Sequence, residues 1–311
     1  MRPRPPAVLR PAVLRPAAVA AAGALAAAAG PARAETVSLV SGVPTFTVVD
    51  LGPSGPSLGD LNLFEAPMEG GGSLVGVQTT LGRATGRSVT VQGMLTFDLP
   101  GGRLAVAGVS RIDRGPTGLL PGRPYERAVV GGTGDHAGRR GTVTSTRRPD
   151  GTYAQVFSLT PPSGATRALE LVSAPGAGER VDLGAPGTSP GDLTVVDEAR
   201  VLDPETGAPA GTVRGIQQVV SAAGGRVAQG LLAFRLADGD LLVGGVSLQT
   251  PQPGGLLPGA AHVRPVLGGT GAYAGATGTL TTTVEDDGRY RQRFELAGLD
   301  APVVRRLRLH A

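Results

Sequence analysis

Short segments in which apolar and polar residues alternate occur along most of the chain and predict β-strands. Residues 153–159 and 290–296 show the pattern clearly, with a tyrosine, a glutamine and a phenylalanine on one face. Side chains alternate between the two faces of a strand, so one face of each segment is expected to be buried. No segment shows a convincing helical stripe. The side chains predicted to point inward are Tyr153, Gln155, Phe157, Tyr290, Gln292 and Phe294.

The strand pattern occurs twice, which indicates a duplicated domain. Residues 92–159 align without a gap with residues 229–296, and about half of the paired positions are identical. The two copies also end alike, in residues 167–171 and 305–309. A Pro/Gly-containing stretch at residues 173–180 predicts the seam between them. The predicted boundaries are 1–34 for a leader, 35–174 for the first domain and 175–311 for the second.

Each copy supplies seven or eight short antiparallel strands, each with one apolar face and one solvent-exposed polar face. A single open sheet of that size would leave unpaired edges and an exposed apolar side. Closure into a barrel removes both, and a barrel of about eight strands has room for side chains or one small ligand. We therefore predict an all-β protein made of two tandem closed antiparallel β-barrels of about eight strands each.

A Gly-Gly-Thr-Gly turn marks both copies, at residues 131–134 and 268–271. Residues 132–137 fit the dinucleotide pattern G-x-G-x-x-A, but that pattern requires a helix N-terminus to hold the pyrophosphate. A Thr-rich strand segment follows instead, and the chain has no lysine for a phosphate-binding loop. The stretch predicts strand, tight turn and strand.

The first 34 residues have the features of a targeting segment. They begin with several arginines, continue with an apolar run at residues 17–30 and end in Ala32-Arg33-Ala34. This pattern is typical of a secretory signal peptide, and the absence of acidic residues leaves an organelle transit peptide as the alternative. The apolar run is shorter than the roughly 20 residues that span a bilayer, so no membrane association is predicted.

Charge and composition exclude several functions. The formal net charge is +4, but five of the arginines precede residue 35, so the mature chain lacks the basic surface of a nucleic-acid binder. Aromatic residues make up 3% and tryptophan is absent. Without cysteine or lysine, disulfides and Schiff-base chemistry are excluded. The histidines, which are not clustered with other ligands, indicate neither a metal nor another cofactor. They are His136, His262 and His310.

Two motifs together resemble those of the allene oxide cyclase and dirigent families. Gly-Asp-Leu at residues 59–61 is followed by Phe64, and Gly-Gly-Thr-Gly is followed by a further glycine before the next strand. Arg139-Arg140-Gly141 is nearest to the Ala-Arg-Gly of dirigent proteins. The resemblance implies an eight-stranded calycin-type barrel, cyclisation or stereochemical guidance of a small molecule, a pocket-facing Arg140, and a homo-oligomer unless the tandem chain buries that interface internally.

The polar residues on the predicted inner face have two interpretations. Gln155 and Gln292 either bond to tyrosine or to neighbouring backbone, since buried amides usually have partners within the protein, or orient a ligand in an apolar pocket. Asp50 is a candidate general acid or base, since it alternates with apolar residues, and Arg140 a candidate pocket cation. Both are the predicted catalytic residues, with a paired surface or strand-end role as the alternative. Tyr125, Glu126 and Arg127 are predicted to form a rim.

These observations predict a secreted barrel protein that binds a small apolar molecule and steers its cyclisation or coupling by confinement. If the protein is an enzyme, we expect a cofactor-independent isomerase or cyclase. The alternative is a non-catalytic binding or structural protein whose barrels are filled by side chains. A third hypothesis has one active barrel and one degenerate partner, since Arg140 aligns with Thr277.

Overall fold

The computed structural model describes residues 34–52, 54–55, 57–85, 88–113, 118–164, 166–175, 177–222, 226–250 and 255–299. In these ranges the regular structure is β-strand, with two three-residue 3-10 turns and no α-helix. The predicted leader up to residue 33 and the segment 305–309 lie outside the described residues. Across the described ranges, no helix has the length and apolarity needed to cross a bilayer.

The described residues form eighteen strands in two sheets of nine, and every pairing between them is antiparallel. The first sheet has the order β1-β9-β8-β7-β6-β5-β4-β3-β2, and the second has the order β10-β18-β17-β16-β15-β14-β13-β12-β11. The strands of the first sheet are β1 (Glu35–Ser41), β2 (Thr45–Val49), β3 (Leu61–Pro67), β4 (Ser73–Thr85), β5 (Ser88–Leu99), β6 (Gly102–Asp113), β7 (Pro124–Gly132), β8 (Arg140–Arg147) and β9 (Tyr153–Thr160). Those of the second are β10 (Arg167–Ser173), β11 (Ala177–Val181), β12 (Leu193–Leu202), β13 (Pro209–Ser221), β14 (Arg226–Leu236), β15 (Gly239–Gln249), β16 (His262–Gly269), β17 (Thr277–Val284) and β18 (Tyr290–Ala297).

The two sheets close differently. In the second, β10 also pairs with β12, through Val172 opposite Leu202 and Ser173 opposite Val201, which completes a closed eight-stranded barrel. In the first, Ser41 at the end of β1 forms an isolated bridge with Met68, the residue after β3, so this sheet is an open, curled half-barrel. The prediction of two closed barrels is therefore wrong for the first copy. The reason is strand length, because β12 runs for ten residues and β3 for seven.

Each curved sheet wraps around its own apolar core. Phe97 and Phe157 meet edge to face in the first core, with ring centroids 5.0 Å apart, and Phe234 and Phe294 do so at 5.1 Å in the second. Phe157 and Phe294 are fully buried, and residues 153–159 alternate buried and less buried as predicted. The period-two prediction of the inner face is confirmed. Edge-to-face pairs of this kind add to the stabilisation from burial.

A third apolar cluster joins the two sheets. Val49, Leu61 and Leu63 of the first copy lie in it together with Val220 and Val246 of the second. The described residues belong to a single compact unit. Strand β10 lies before the predicted seam at residues 173–180 yet pairs within the second sheet, so the sheets separate between β9 and β10.

The Gly-Gly-Thr-Gly turns tie neighbouring hairpins at one end of each sheet. The Arg103 backbone N–H donates to Thr133 Oγ1 over 3.1 Å, and the Asp240 backbone N–H donates to Thr270 Oγ1 over 3.0 Å. Gly134 has a φ of 58°, which a residue with a side chain rarely adopts, and an added Cβ would lie 2.1 Å from the Gly101 carbonyl oxygen. A 3-10 turn and then a strand follow in both copies, so the strand–turn–strand prediction is confirmed.

Candidate functional site

A cavity opens inside each curved sheet, beside the phenylalanine core and at equivalent positions in the two copies. When all space between atoms is counted, including the part that is open solvent, the first cavity measures about 400 Å³ and the second about 630 Å³. Both are lined mainly by apolar side chains, such as Leu95 and Leu119 in the first and Leu232 and Leu256 in the second. Concave, mostly apolar cavities with a few polar groups are typical of small-molecule sites.

A hydrogen-bonded chain of polar side chains runs along one wall of the first cavity. Ser145 Oγ on β8 donates to Gln155 Oε1 on β9 over 2.6 Å. Gln155 Nε2 then donates to Ser41 Oγ on β1 over 3.1 Å. All three side chains are at most 2% exposed. Because every member has a partner, this wall holds a fixed set of polar groups rather than a mobile one.

The second cavity repeats the same chain. Thr282 Oγ1 donates to Gln292 Oε1 over 2.7 Å, and Gln292 Nε2 donates to Ser173 Oγ over 3.0 Å. The two interpretations of the glutamines thus combine: each amide is bonded within the protein, to hydroxyl groups rather than to tyrosine, and each also lines a cavity.

A tyrosine and a leucine cover part of each cavity. Leu119 forms an isolated bridge with Ile112, and its backbone is hydrogen-bonded to the Tyr153 phenol. Leu256 and Tyr290 are joined in the same way in the second copy. Burial raises the pKa of both phenols, so Tyr153 and Tyr290 are neutral near pH 7.

One buried arginine faces each cavity. Arg127 on β7 is 4% exposed, and its Nη1 donates to Ser145 Oγ over 3.3 Å. Arg264, the equivalent residue on β16, is 2% exposed, and its Nε has no hydrogen-bond partner. Burial lowers the pKa of each guanidinium to about 10, opposed by Tyr153 and Tyr125 around Arg127 and by Tyr290 around Arg264. Both arginines therefore remain charged at neutral pH.

The sequence interpretation missed these arginines. Arg127 was expected at a rim together with Tyr125 and Glu126, yet the structure buries Tyr125 and Arg127 and leaves Glu126 exposed. Their burial could have been predicted from strand alternation, because Tyr125, Arg127 and the buried Val129 occupy alternate positions of one strand and therefore share a face.

The predicted ligand-binding residues divide into two groups. Tyr153, Gln155, Tyr290 and Gln292 line the cavities. Phe157 and Phe294, two residues further on, do not line them, because each packs in an edge-to-face pair within its core.

The two predicted catalytic residues lie away from both cavities. Asp50 is exposed in the loop after β2, where its carboxylate accepts hydrogen bonds from the backbone N–H groups of Gly52 and Gly55 at 3.3 and 3.2 Å. The Arg140 guanidinium lies between the two sheets and donates to backbone carbonyl oxygens of both. Its acceptors are Val130, Val266, Leu267 and Ala276.

The Gly-Asp-Leu segments hold loops in place. The Asp60 carboxylate accepts from the backbone N–H of Leu51 at 3.1 Å and from Ser57, and Asp192 accepts from the backbone N–H of Leu183 at 3.1 Å and of Ser189 at 2.9 Å. Neither aspartate lines a cavity. Among the described residues, no group of three or more His, Cys, Asp or Glu side chains is arranged to hold a metal ion.

Comparison with known proteins identifies no family for this chain. Neither a protein-family profile nor a curated protein matches the sequence. Among solved structures, pyocyanin demethylase is similar over 42% of this chain and 99% of its own, with 20% sequence identity and a TM-score of 0.34.

Proposed function

We propose that this protein binds a small, largely apolar molecule in the cavities of its two curved sheets. The observation that carries the proposal is the repeated cavity wall, in which a tyrosine, a glutamine bonded to two hydroxyls and a buried arginine interrupt an otherwise apolar surface. The equivalents are Tyr153, Gln155 and Arg127 in the first copy and Tyr290, Gln292 and Arg264 in the second. Few and fixed polar groups orient a ligand, while apolar walls supply most of the burial.

The proposal extends to chemistry of the allene oxide cyclase or dirigent kind. Confinement in a rigid apolar cavity selects one folded conformer of a reactive molecule, which lowers the entropic part of the barrier to cyclisation or coupling. The tyrosine and arginine point donors at one side of the cavity, where they stabilise negative charge that develops on a ligand oxygen. No step in this mechanism calls on a cofactor.

A non-catalytic role is the second candidate, and the packed cores favour it. The phenylalanine pairs fill part of each interior, and the glutamines already have protein partners. A barrel that serves only as a rigid structural unit needs no ligand to complete these contacts.

Ligand extraction and native mass spectrometry decide between the two candidates. Protein purified under non-denaturing conditions is expected to retain, or to take up from a library of small apolar molecules, up to two ligands per chain. Leu95→Trp and Leu232→Trp, which place a bulky ring in one cavity each, are expected to remove one ligand each. Overpacking lowers the free energy of unfolding by about 1–3 kcal/mol. Circular dichroism is therefore used to check that both variants fold. Wild-type protein that takes up no ligand contradicts the proposal.

A further inference from the structure

The two cavities share an unusual electrostatic feature. Among the described residues that line them, each contains one arginine and neither contains an aspartate or a glutamate. No ion pair links Arg127 or Arg264 to any described carboxylate. Each cavity therefore carries an uncompensated positive charge on a mostly apolar wall.

Such a charge is costly for the fold. Removing an ion from water costs several kcal/mol, and a protein normally recovers that cost with an opposite charge or a full set of hydrogen bonds. A guanidinium has five N–H donors. Arg127 places Nη1 on Ser145, and Arg264 leaves its buried Nε without an acceptor. The neighbouring phenols Tyr153 and Tyr290 are neutral near pH 7 and do not balance the charge.

Arg140 shows how the same chain uses an arginine for structure. Its guanidinium donates to four backbone carbonyl oxygens drawn from both copies. Among the described residues, Arg127 and Arg264 have no comparable set of carbonyl acceptors, although they are more deeply buried. A purely structural explanation therefore fits Arg140 and does not fit the two cavity arginines.

We propose that each cavity binds a small organic acid, with the carboxylate held by Arg127 in the first copy and by Arg264 in the second. The planar guanidinium fork matches a carboxylate in a bidentate geometry. The apolar remainder of the ligand lies against the leucines of the same wall, Leu95 and Leu119 or Leu232 and Leu256. This inference rests on the proposed small-molecule function and specifies its ligand class.

Titration calorimetry with cinnamate and its neutral methyl ester tests whether binding depends on the negative charge of the ligand's carboxylate. The acid is expected to bind with two sites per chain and at least about tenfold more tightly than the ester, as a charge-assisted bidentate pair requires. Arg127→Gln and Arg264→Gln are each expected to abolish one of the two sites, and the double variant both. Arg148→Gln and Arg235→Gln, at exposed arginines of the two copies, are the matched controls and are expected to retain both sites.

The outcomes separate this inference from the proposed function. Equal binding of acid and ester, or unchanged stoichiometry in the glutamine variants, overturns the carboxylate assignment and leaves ligand binding intact. Binding of neither probe overturns the inference, while the library experiment above independently decides the function.

Stability supplies a readout that does not depend on the ligand. Arg264→Met removes an uncompensated buried charge, so the unliganded variant is expected to melt no lower than wild type. A large loss of stability in Arg264→Met and Arg127→Met would assign both arginines to the fold and overturn the inference.

Discussion

The two copies have the same polar wall but differ on the side of the cavity lined by Phe46 and Phe64 in the first copy, which we call the mouth. In the first, Phe46 on β2 and Phe64 on β3 line the cavity with ring centroids 5.5 Å apart. The positions that pair in the same way in the second copy are Gly178 and Val196. The second cavity is correspondingly larger, at about 630 Å³ against about 400 Å³.

This difference accompanies the difference in closure. The first sheet has the isolated bridge between Ser41 and Met68 and the Phe46–Phe64 pair, whereas the second is closed by the β10–β12 ladder and has a glycine and a valine at the equivalent positions. The lining of the second cavity is also more polar, because Gln249 replaces Ile112 and donates to Gln217. The polar wall is thus the same in the two copies, while the rest of the cavity lining differs in size and polarity.

The largest expected effect concerns the core that both copies share. Phe157→Ala and Phe294→Ala are each expected to lower the free energy of unfolding by about 3–5 kcal/mol, because each removes a fully buried ring from an edge-to-face pair. Urea denaturation measures the loss. The exposed Val109→Ala is the control, with a change within about 0.5 kcal/mol.

The same experiment tests whether the copies unfold together. The shared cluster of Val49, Leu61 and Val220 predicts one cooperative transition that both phenylalanine variants shift. Two separate transitions, with only one moved by each variant, would contradict this coupling.

The next effect distinguishes the two hydrogen-bonded walls. Gln155→Leu and Gln292→Leu each leave two buried hydroxyl groups without their amide partner, at a cost of about 1–3 kcal/mol for each group. Replacing those hydroxyls as well, with Ser173→Ala and Thr282→Val in the second copy, is expected to recover most of the loss. Chemical denaturation of single and triple variants measures both changes.

In the first copy, the corresponding triple variant is expected to recover less of the lost free energy of unfolding. There Ser145 also accepts a hydrogen bond from Arg127, so Ser145→Ala removes a partner from a buried guanidinium. Equal recovery in the two triple variants would show that the Ser145–Arg127 contact contributes nothing to stability.

The sequence predicted the fold where a local period determines burial. Tyr153, Gln155 and Phe157 point inward because alternate positions of a strand face the same side, and the repeat extended that prediction to the second copy. Closure was not predictable in this way, because it depends on a few residues at the end of β3 and β12. The identical triplets at residues 39–41 and 171–173 could have placed β10 in the second sheet.

The candidate site was predicted only in part, for two physical reasons. Arg127 occupies the same alternate positions as Tyr125 and the buried Val129, but it was interpreted as part of a rim because residues 125–127 lead into the Gly-Gly turn. Three of the four carbonyl partners of Arg140 lie more than 100 positions away in the other copy, where Thr277 occupies the aligned position. No pattern within a single copy contains that contact.

A smaller effect concerns the mouths themselves. Phe46→Ala is expected to cost about 0.5–1.5 kcal/mol of aromatic pairing and to widen the first cavity. The variant should then bind 2-naphthoate at the first site about tenfold more tightly, approaching the second site. Val196→Phe is the reciprocal change and should weaken 2-naphthoate binding at the second site alone. Calorimetry with benzoate as the small reference acid checks both, and unchanged size selectivity would refute the role of the mouth.

The smallest effect lies in the pH dependence of stability at the loops that Asp60 and Asp192 hold in place. Burial alone would raise the pKa of Asp60 and Asp192, but hydrogen bonds from Ser57 and Leu51, and from Ser189 and Leu183, leave both pKa values below the usual range. A depressed folded pKa means that the stabilisation is present above the unfolded pKa and is lost as the pH falls through the folded one.

Asp60→Asn and Asp192→Asn should therefore flatten the fall in stability below about pH 5, and Asp192→Asn should do so more. The reason for the difference is Arg180, whose Nη2 donates to Asp192 over 2.7 Å, a contact that Asp60 lacks among the described residues. Arg180→Gln is the matched variant, because it should make the second copy titrate like the first. Urea midpoints measured from neutral to acidic pH give the result. Identical slopes for the two asparagine variants would mean that the ion pair adds nothing, and that the loops, unlike the mouths, did not diverge energetically.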